Sequence, residues 1–373
     1  MLLRRLLLCL TIFFGGMSLS AQDVHYTLHN MAPIWLNPAK TGSFLGSIRV
    51  GGVYRGQWYG FSGGVQSPNL FADAPIIKGL RDQDWIGVGF NLISDQTGEN
   101  DITTTSTGFA ASYHFSIDKE RRNVLTLGAH YANVNYSFNP RMGFDVEQNI
   151  GTALGGEGLG STEFDNLGMN PMGPGGNNNN SSYTDINVGL MLRSTLNTET
   201  SDVLELGFAM QHLNTDERRT LLESNTGGGG GTSMGGGIQG GSNSREARER
   251  PQTIHAHATL DMALTEKWRI MPTAFYQTSA NNNSLSLQGW VGRVLPEDRL
   301  LRLGLGYRTN DAIKMLIGFD AGQLRAAMAF DLVQGQNLPI DDGSINAFEL
   351  SANYIFNIYK KPQPKPQALC PRI

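Results

Sequence analysis

Along much of this chain apolar and polar residues alternate at period two. Ile86, Val88, Phe90 and Leu92 share one phase, with Gly87, Gly89 and Asn91 on the other. The same alternation returns over Phe109–Ile117, Ile186–Leu192, Leu204–Met210, Ile254–Met262, Leu301–Tyr307, Leu324–Phe330 and Phe348–Phe356. Side chains of a strand point to opposite faces, so each segment has one face for an apolar medium and one for a polar medium. A soluble sandwich shows the same pattern. These segments, however, run about 9 to 15 residues, where soluble strands average 5–6 and tilted membrane strands need 9–11. Their polar phase carries Gly, Ser, Asn, Gln, His and single charges, which suits a wet or protein-filled lumen. The expected fold is therefore all-β, a transmembrane antiparallel β-barrel of about fourteen strands with long extracellular loops.

The fourteen predicted strands cover residues 47–58, 69–76, 84–95, 102–117, 123–138, 183–195, 201–213, 252–264, 267–279, 285–295, 299–309, 312–320, 323–333 and 345–358. The second is the weakest, and Pro272 in the ninth signals an edge or a bulge because proline has no N–H to donate. Connections after even-numbered strands are mostly tight, whereas the longest ones, 139–182 and 214–251, follow odd-numbered strands. Such sorting is a property of outer-membrane barrels, whose short turns face the periplasm. An even strand count places both mature termini on the periplasmic side. The long connections hold Asn177–Asn180 and the glycine runs 227–231 and 235–237, compositions that bury little apolar surface.

The first 21 residues combine Arg4 and Arg5, an apolar stretch from Leu6 to Phe14, and small residues ending at Ala21. This is the form of a cleaved signal peptide, too short for a membrane span. Cleavage leaves 27 basic and 33 acidic residues, a net charge of −6. No later segment has 18 uncharged apolar residues, so spanning by helices is excluded. The charge balance argues against nucleic acid as a partner. Two cysteines, one of them in the leader, leave no disulfide scaffold and no Cys-based metal module. The chain thus divides into a signal peptide (1–21), an N-terminal periplasmic or lumenal segment (22–46), the barrel (47–358) and a Pro/Lys-rich periplasmic tail (359–373).

Candidate chemistry is sparse. His255 and His257 share a strand face with Asp261 and could ligate zinc only with a third ligand from a neighbouring strand. No Gly-x-Ser-x-Gly elbow occurs, and no Gly-Lys-Ser/Thr follows the glycine runs. Neither a catalytic residue, a metal site nor a cofactor is expected. Arg193, Glu205, His255, His257, Asp261, Arg302, Arg308, Arg325, Asp331 and Glu349 are the lumen-lining candidates. They would pair across the interior, line a pore or form a docking surface.

Several short motifs resemble those of the PorP/SprF family. Residues 29–42, with Pro33, Asn37, Pro38, Ala39 and Gly42, are similar to its NP-x-x-x-NPA-x-x-G opening, Ala32 standing where the pattern has Asn. Arg55, Gln57 and Trp58 match its YR-x-QW, Asp95 and Gly98 fall in its IG-x-G-x-x-x-x-D-x-x-G stretch, and Cys370, Pro371 and Arg372 match its CPRF close, with Ile373 for Phe. These residues are the candidates for partner binding. The resemblance implies a non-enzymatic component of the type IX secretion system of Bacteroidetes. Such a protein would anchor a secreted partner, such as a large adhesin, at the cell surface by its C-terminal signal domain, or support the gliding and secretion machinery. A passive small-solute transporter is the alternative. The segment from Asn30 to Gly42 is expected to pack in or under the barrel, since Pro33 and Pro38 prevent strand pairing.

Overall fold

A computed structural model describes residues 24–57, 64–78, 81, 83–97, 102–137, 180–214, 252–279, 282–297, 299–309, 311–333 and 346–358. The predicted signal peptide, the Pro/Lys-rich tail, residues 139–179 and 215–251 of the long connections, and Trp58, Gly98, Cys370, Pro371 and Arg372 lie outside the described residues.

The described strands are β1 (Ile48–Gln57), β2 (Val65–Lys78), β3 (Trp85–Thr97), β4 (Ile102–Ser116), β5 (Asn123–Ser137), β6 (Asn180–Asn197) and β7 (Asp202–Gln211). They continue as β8 (Thr253–Thr265), β9 (Trp268–Ser279), β10 (Asn282–Leu295), β11 (Arg299–Arg308), β12 (Ala312–Ala321), β13 (Leu324–Val333) and β14 (Asn346–Phe356). Each pairs antiparallel with its sequence neighbours, and β1 pairs with β14 from Ile48↔Phe356 to Gln57↔Ala347. The sheet is therefore a closed barrel of 14 strands with no free edge, the condition a sheet must meet to span lipid. Among the described residues no helix is long and apolar enough to cross a membrane.

The apolar phase faces outward. Phe109 is 68% exposed and Leu127 62%, while Ser112 and Thr126 on the opposite face are buried. Leu70, Phe208, Leu305, Ile317 and Leu350 extend this apolar belt around the barrel.

Proline interrupts the ladder locally without ending strands. β2 is longer than the 69–76 predicted, because β2 and β3 pair at Gln66↔Gln96 and again at Asn69↔Ile93, leaving Pro68 unpaired between them. Near its other end the register shifts again between Pro75, opposite Gly87, and Ile77, opposite Ile86. In β9 the pairing with β8 passes from Thr259↔Thr273 to Met262↔Ile270, so Pro272 sits in a gap where an N–H is not required.

The chain before β1 crosses the lumen from one mouth to the other. His25 Nε2 lies 3.3 Å from Ser284 Oγ, just after β9 turns into β10. The Tyr26 hydroxyl donates to Ser67 O at 3.2 Å, just after β1 connects to β2. A 3-10 turn (His29–Met31), a single helical turn α1 (Pro33–Leu36) and a second 3-10 turn (Pro38–Lys40) follow. At the far mouth Trp85 Nε1, at the start of β3, donates to Gly42 O at 3.0 Å. Val24 and Ile358, the first and last described residues, thus lie at opposite mouths. Strand parity alone puts both ends at one mouth, and the additional crossing reverses that for the N-terminal end.

The segment packs on the wall through an apolar cluster of Tyr26, Leu28, Met31, Trp35, Leu36, Phe275, Trp290 and Leu316. It approaches the backbone of the wall closely at Asn37–Ala39. A β-carbon on Gly128 would stand 2.3 Å from Ala39 N, and one on Gly189 would stand 1.9 Å from Asn37 Oδ1. Gly128→Val should therefore displace the segment and cost at least the ~1–3 kcal/mol typical of overpacking. Heat-modifiable gel mobility of the folded barrel checks this, and an unchanged unfolding temperature would contradict it.

Candidate functional site

The described residues with the densest polar chemistry form the contact between the N-terminal segment and the lumenal face. Three groups of wall residues hold it.

The first surrounds Thr27. Glu349 accepts from the backbone N–H groups of Thr27 (2.6 Å) and Leu28 (2.7 Å), one carboxylate oxygen to each. The Thr27 hydroxyl donates to Asp331 Oδ2 at 2.7 Å, and Gln288 Nε2 donates to Thr27 O at 2.7 Å. Arg55 bridges both carboxylates, at 2.5 Å to Glu349 and 3.1 Å to Asp331. Arg308 reaches Asp331 at 3.2 Å and also pairs with Asp311. Lys314 donates to Ser286 Oγ at 2.7 Å. Arg55, Lys314, Asp331 and Glu349 are each 5% exposed or less, so the charges exchange water for one another and for the Thr27 backbone.

The second is the seat of Asn37. Its Nδ2 donates to Leu190 O (3.1 Å) and Phe208 O (3.3 Å), and its Oδ1 accepts from Ala39 N at 2.9 Å. One amide thus joins the backbones of β6 and β7 to the segment's own turn. His257 Nε2 lies 3.2 Å from Asn37 Nδ2, and His255 Nδ1 lies 3.1 Å from Leu36 O. Gln211 Nε2 donates to Trp35 O at 2.8 Å.

The third closes the opposite mouth. Gly42, at φ +65°, donates its N–H to Asp73 Oδ2 at 2.7 Å. A side chain there would strike Gly87 Cα, so only glycine meets both the dihedral and the approach. Ser112 Oγ donates to Thr41 O at 2.6 Å, and His114 Nε2 lies 2.8 Å from the same oxygen. Arg49 pairs with Asp73 at 2.7 Å, and Lys40 pairs with Glu205.

The sequence-predicted residues divide accordingly. Arg55, Arg308, Asp331 and Glu349 meet around Thr27, and Arg55 Nε also donates to Gln57 Oε1 at 3.1 Å. Pro33, Asn37, Pro38, Ala39 and Gly42 lie in the segment itself, Pro33 opening α1. His255, His257 and Glu205 contact it from β7 and β8. Arg302 pairs instead with Asp320, and Asp261 with Arg269, near the tight-turn end. Arg325 is exposed at that rim and also reaches Asp320, rather than lining the lumen. Arg193 is half-buried opposite Glu205. Asp95 accepts from Ser67. Thr27, Asp73, Ser112, His114, Gln211 and Gln288 were not singled out by the sequence. All but Thr27 stand on the polar phase, where nothing in the alternation separates a partner of the segment from general lumenal polarity. Among the described residues no group of three His, Cys, Asp or Glu side chains is placed to hold a metal ion. His255 and His257 are turned to the peptide.

Outside the lumen one turn carries its own latch. Asp84, before β3, pairs with Arg81 at 2.8 Å and accepts from Ser116 N (3.0 Å) and the Tyr113 hydroxyl (2.9 Å). The Arg81 hydrogen bond is the main cause that holds the Asp84 carboxyl down at about 2.

A family model of the type IX secretion system membrane protein PorP/SprF matches residues 18–354. The chain belongs to the PorP/SprF family. It is an outer-membrane β-barrel of that secretion system. No protein of curated function matches it. Among solved structures, the Pseudomonas putida toluene transporter TodX aligns at 12% identity and a TM-score of 0.43, over 87% of this chain and 93% of that one. The monoaromatic hydrocarbon channel CymD aligns at 11% identity and a TM-score of 0.44, over 93% and 97%. The KdgM porin aligns at 7% identity and a TM-score of 0.34, over 83% and 99%. These likenesses concern the barrel alone.

Two predictions follow from the geometry of this PorP/SprF protein. Glu349→Gln removes a charge from a buried group that also holds two backbone N–H groups and leaves Arg55 short of a partner. Breaking a buried pair costs about 3–5 kcal/mol. The unfolding midpoint should fall clearly for Glu349→Gln and fall less for a Glu349→Gln, Arg55→Met double variant, and additive losses would contradict the network. The Asp84 carboxyl, depressed in the folded state, contributes stability above its unfolded value of about 4, and that contribution is lost as pH falls toward 2. Asp84→Asn should therefore lower the thermal midpoint at pH 7 and leave it unchanged near pH 2.

Proposed function

We propose that this protein is a non-enzymatic anchor of the type IX secretion system, holding a secreted polypeptide at the cell surface. In this reading a signal peptide of residues 1–21 directs export, the tight turns and the 359–373 tail face the periplasm, and the long connections face outward. The observation that carries the proposal is the occupied lumen. The segment from Tyr26 to Gly42 is fixed at both mouths and at mid-height by wall side chains, and its apolar residues form one cluster with Phe275, Trp290 and Leu316. A solute path would have to displace a buried charge network. Polar groups that would otherwise face water are spent on the chain's own backbone, which leaves the two mouths as the surfaces for a partner.

The partner is a type IX substrate with its C-terminal signal domain, together with other components of the secretion machinery. A large adhesin and a role in gliding fit this arrangement. The family membership supports this reading. The tail motif at Cys370, Pro371 and Arg372 is proposed as a periplasmic contact for those components.

A pull-down from detergent-solubilised outer membranes, with the tagged protein as bait, tests the reading. One large secreted protein should be enriched, and deletion of the gene should abolish its surface display while leaving the outer membrane intact. Reconstituted in planar bilayers, the purified protein should remain closed. A variant lacking residues 24–40 should conduct. Unchanged display after deletion, or steady conductance by the intact protein, would overturn the proposal.

A further inference from the structure

The N-terminal segment enters β1 at the tight-turn mouth but begins at the other one. Residues 25–28 contact the wall in its loop-side half: Ser284 and Gln288 of β10, Ser67 of β2, Arg55 of β1, Arg308 of β11, Asp331 of β13 and Glu349 of β14. Residues 40–42 contact the turn ends of β2, β3, β4 and β7. Burial follows the same course. Tyr26 to His29 are buried within the barrel, while Val24 and His25 are partly buried, Val24 against the apolar cluster, where the chain approaches the mouth.

We propose that the mature chain carries its free amino terminus at the outer mouth, beside the long connections, and presents it there to the secreted partner. The inference rests on the sidedness given above, and it reverses the location that strand parity assigns to this end. A chain cut after Ala21 has only residues 22 and 23 before Val24, a reach of about 7 Å. Returning to the inner mouth would take a second strand of chain alongside Tyr26–Gly42. At Thr27 the lumen is already taken up by Arg55, Gln288, Arg308, Asp331 and Glu349. The terminus therefore stays at the mouth from which residues 24 and 25 emerge.

This placement also sets an order of assembly. Cleavage by signal peptidase releases the amino end in the periplasm, and yet that end lies across the membrane in the finished barrel. The segment must be enclosed as β1 meets β14 and carried across with the strands, because the closed wall and the buried charges leave no route for later threading. An outward amino end differs from an outward loop in one respect useful to an anchor. It is a single free end whose far side is fixed in the lumen by the Thr27 group, so a load on it is transferred to the wall.

Surface labelling of intact cells tests the proposal. Gln22→Cys is made in a Cys370→Ser background, so that it is the one thiol of the mature chain, and is treated with a membrane-impermeant maleimide–biotin. Separate cells carry an epitope within residues 227–237 or one after Ile373. The expected result is labelling of the thiol and of the 227–237 epitope in intact cells, with the C-terminal epitope detected only after permeabilisation. Labelling of the 227–237 epitope in intact cells with the thiol labelled only after permeabilisation overturns the inference and leaves the anchoring reading in place. Both hidden in intact cells overturns the outward sidedness itself. Intact-mass analysis that finds residues 1–21 retained also overturns the inference. An epitope between Ala21 and Gln22 gives a second readout, and it should be detected in intact cells together with the 227–237 epitope.

Discussion

The structure depends on how an irregular stretch of backbone is kept at membrane depth. Between Thr27 and Gly42 the chain makes only single turns, so many of its N–H and C=O groups find no partner within the segment. Buried without partners, such groups cost several kcal/mol in total. The wall supplies them. Glu349 takes two N–H groups, Gln288, Gln211 and Ser112 give hydrogen bonds to carbonyls, and Asp73 takes the last N–H before the chain leaves the lumen. The polar phase of the strands thus serves as a receptor for this stretch of the chain's own backbone.

Charge then follows from hydrogen bonding. A carboxylate that accepts two backbone N–H groups is well satisfied by them, but its negative charge is still removed from water. Arg55 answers that charge and pairs with Asp331 as well, which Arg308 also reaches, and Arg55 in turn is satisfied by Glu349, Asp331 and Gln57. Cation and anion are interdependent here: each is acceptable in the interior only while the other is present. The same dependence appears at the other mouth, where Asp73 serves Gly42 and Arg49 at once. Fixing the two ends of the segment by such pairs determines its register on the wall, and the glycines at 128 and 189 then admit Asn37 and Ala39 where the wall has no side chains in the way.

Much of the barrel was legible in the sequence. Period-two alternation over long segments is imposed by lipid on one side, and the sorting of connection lengths by parity gave an independent check on the count. Proline misled one strand end, because Pro68 occupies a gap in the β2–β3 ladder while it is in register with Tyr54 on the other edge, whereas Pro272, read as an irregularity, does fall in a gap of the β8–β9 ladder. The lumen was read less well. Phe275 and Trp290 stand on the polar phase, for Trp35 and His29 of the segment pack there instead of water. Thr27 carries no signal of its own, since its importance arises from Glu349 and Asp331, more than 300 residues away in sequence. Arg325 shares a phase with the lumenal charges but lies past the end of the filled region, a matter of height that alternation does not encode.

Topology explains why strand parity does not locate Val24. Counting strands locates the two ends of the sheet, Ile48 and Phe356, and these do pair at one mouth. It does not locate a chain that crosses the interior before the first strand. Such a crossing is hidden from periodicity because it is neither strand nor long helix, yet it is marked by two prolines, which exclude ladder pairing, amid residues too apolar for a solvated leader. A stretch with those properties, attached to a closed barrel, has few places to bury its surface other than the barrel's interior. From that position its path is decided by which wall residues can satisfy its backbone, and those at Thr27 and at Gly42 stand at opposite mouths.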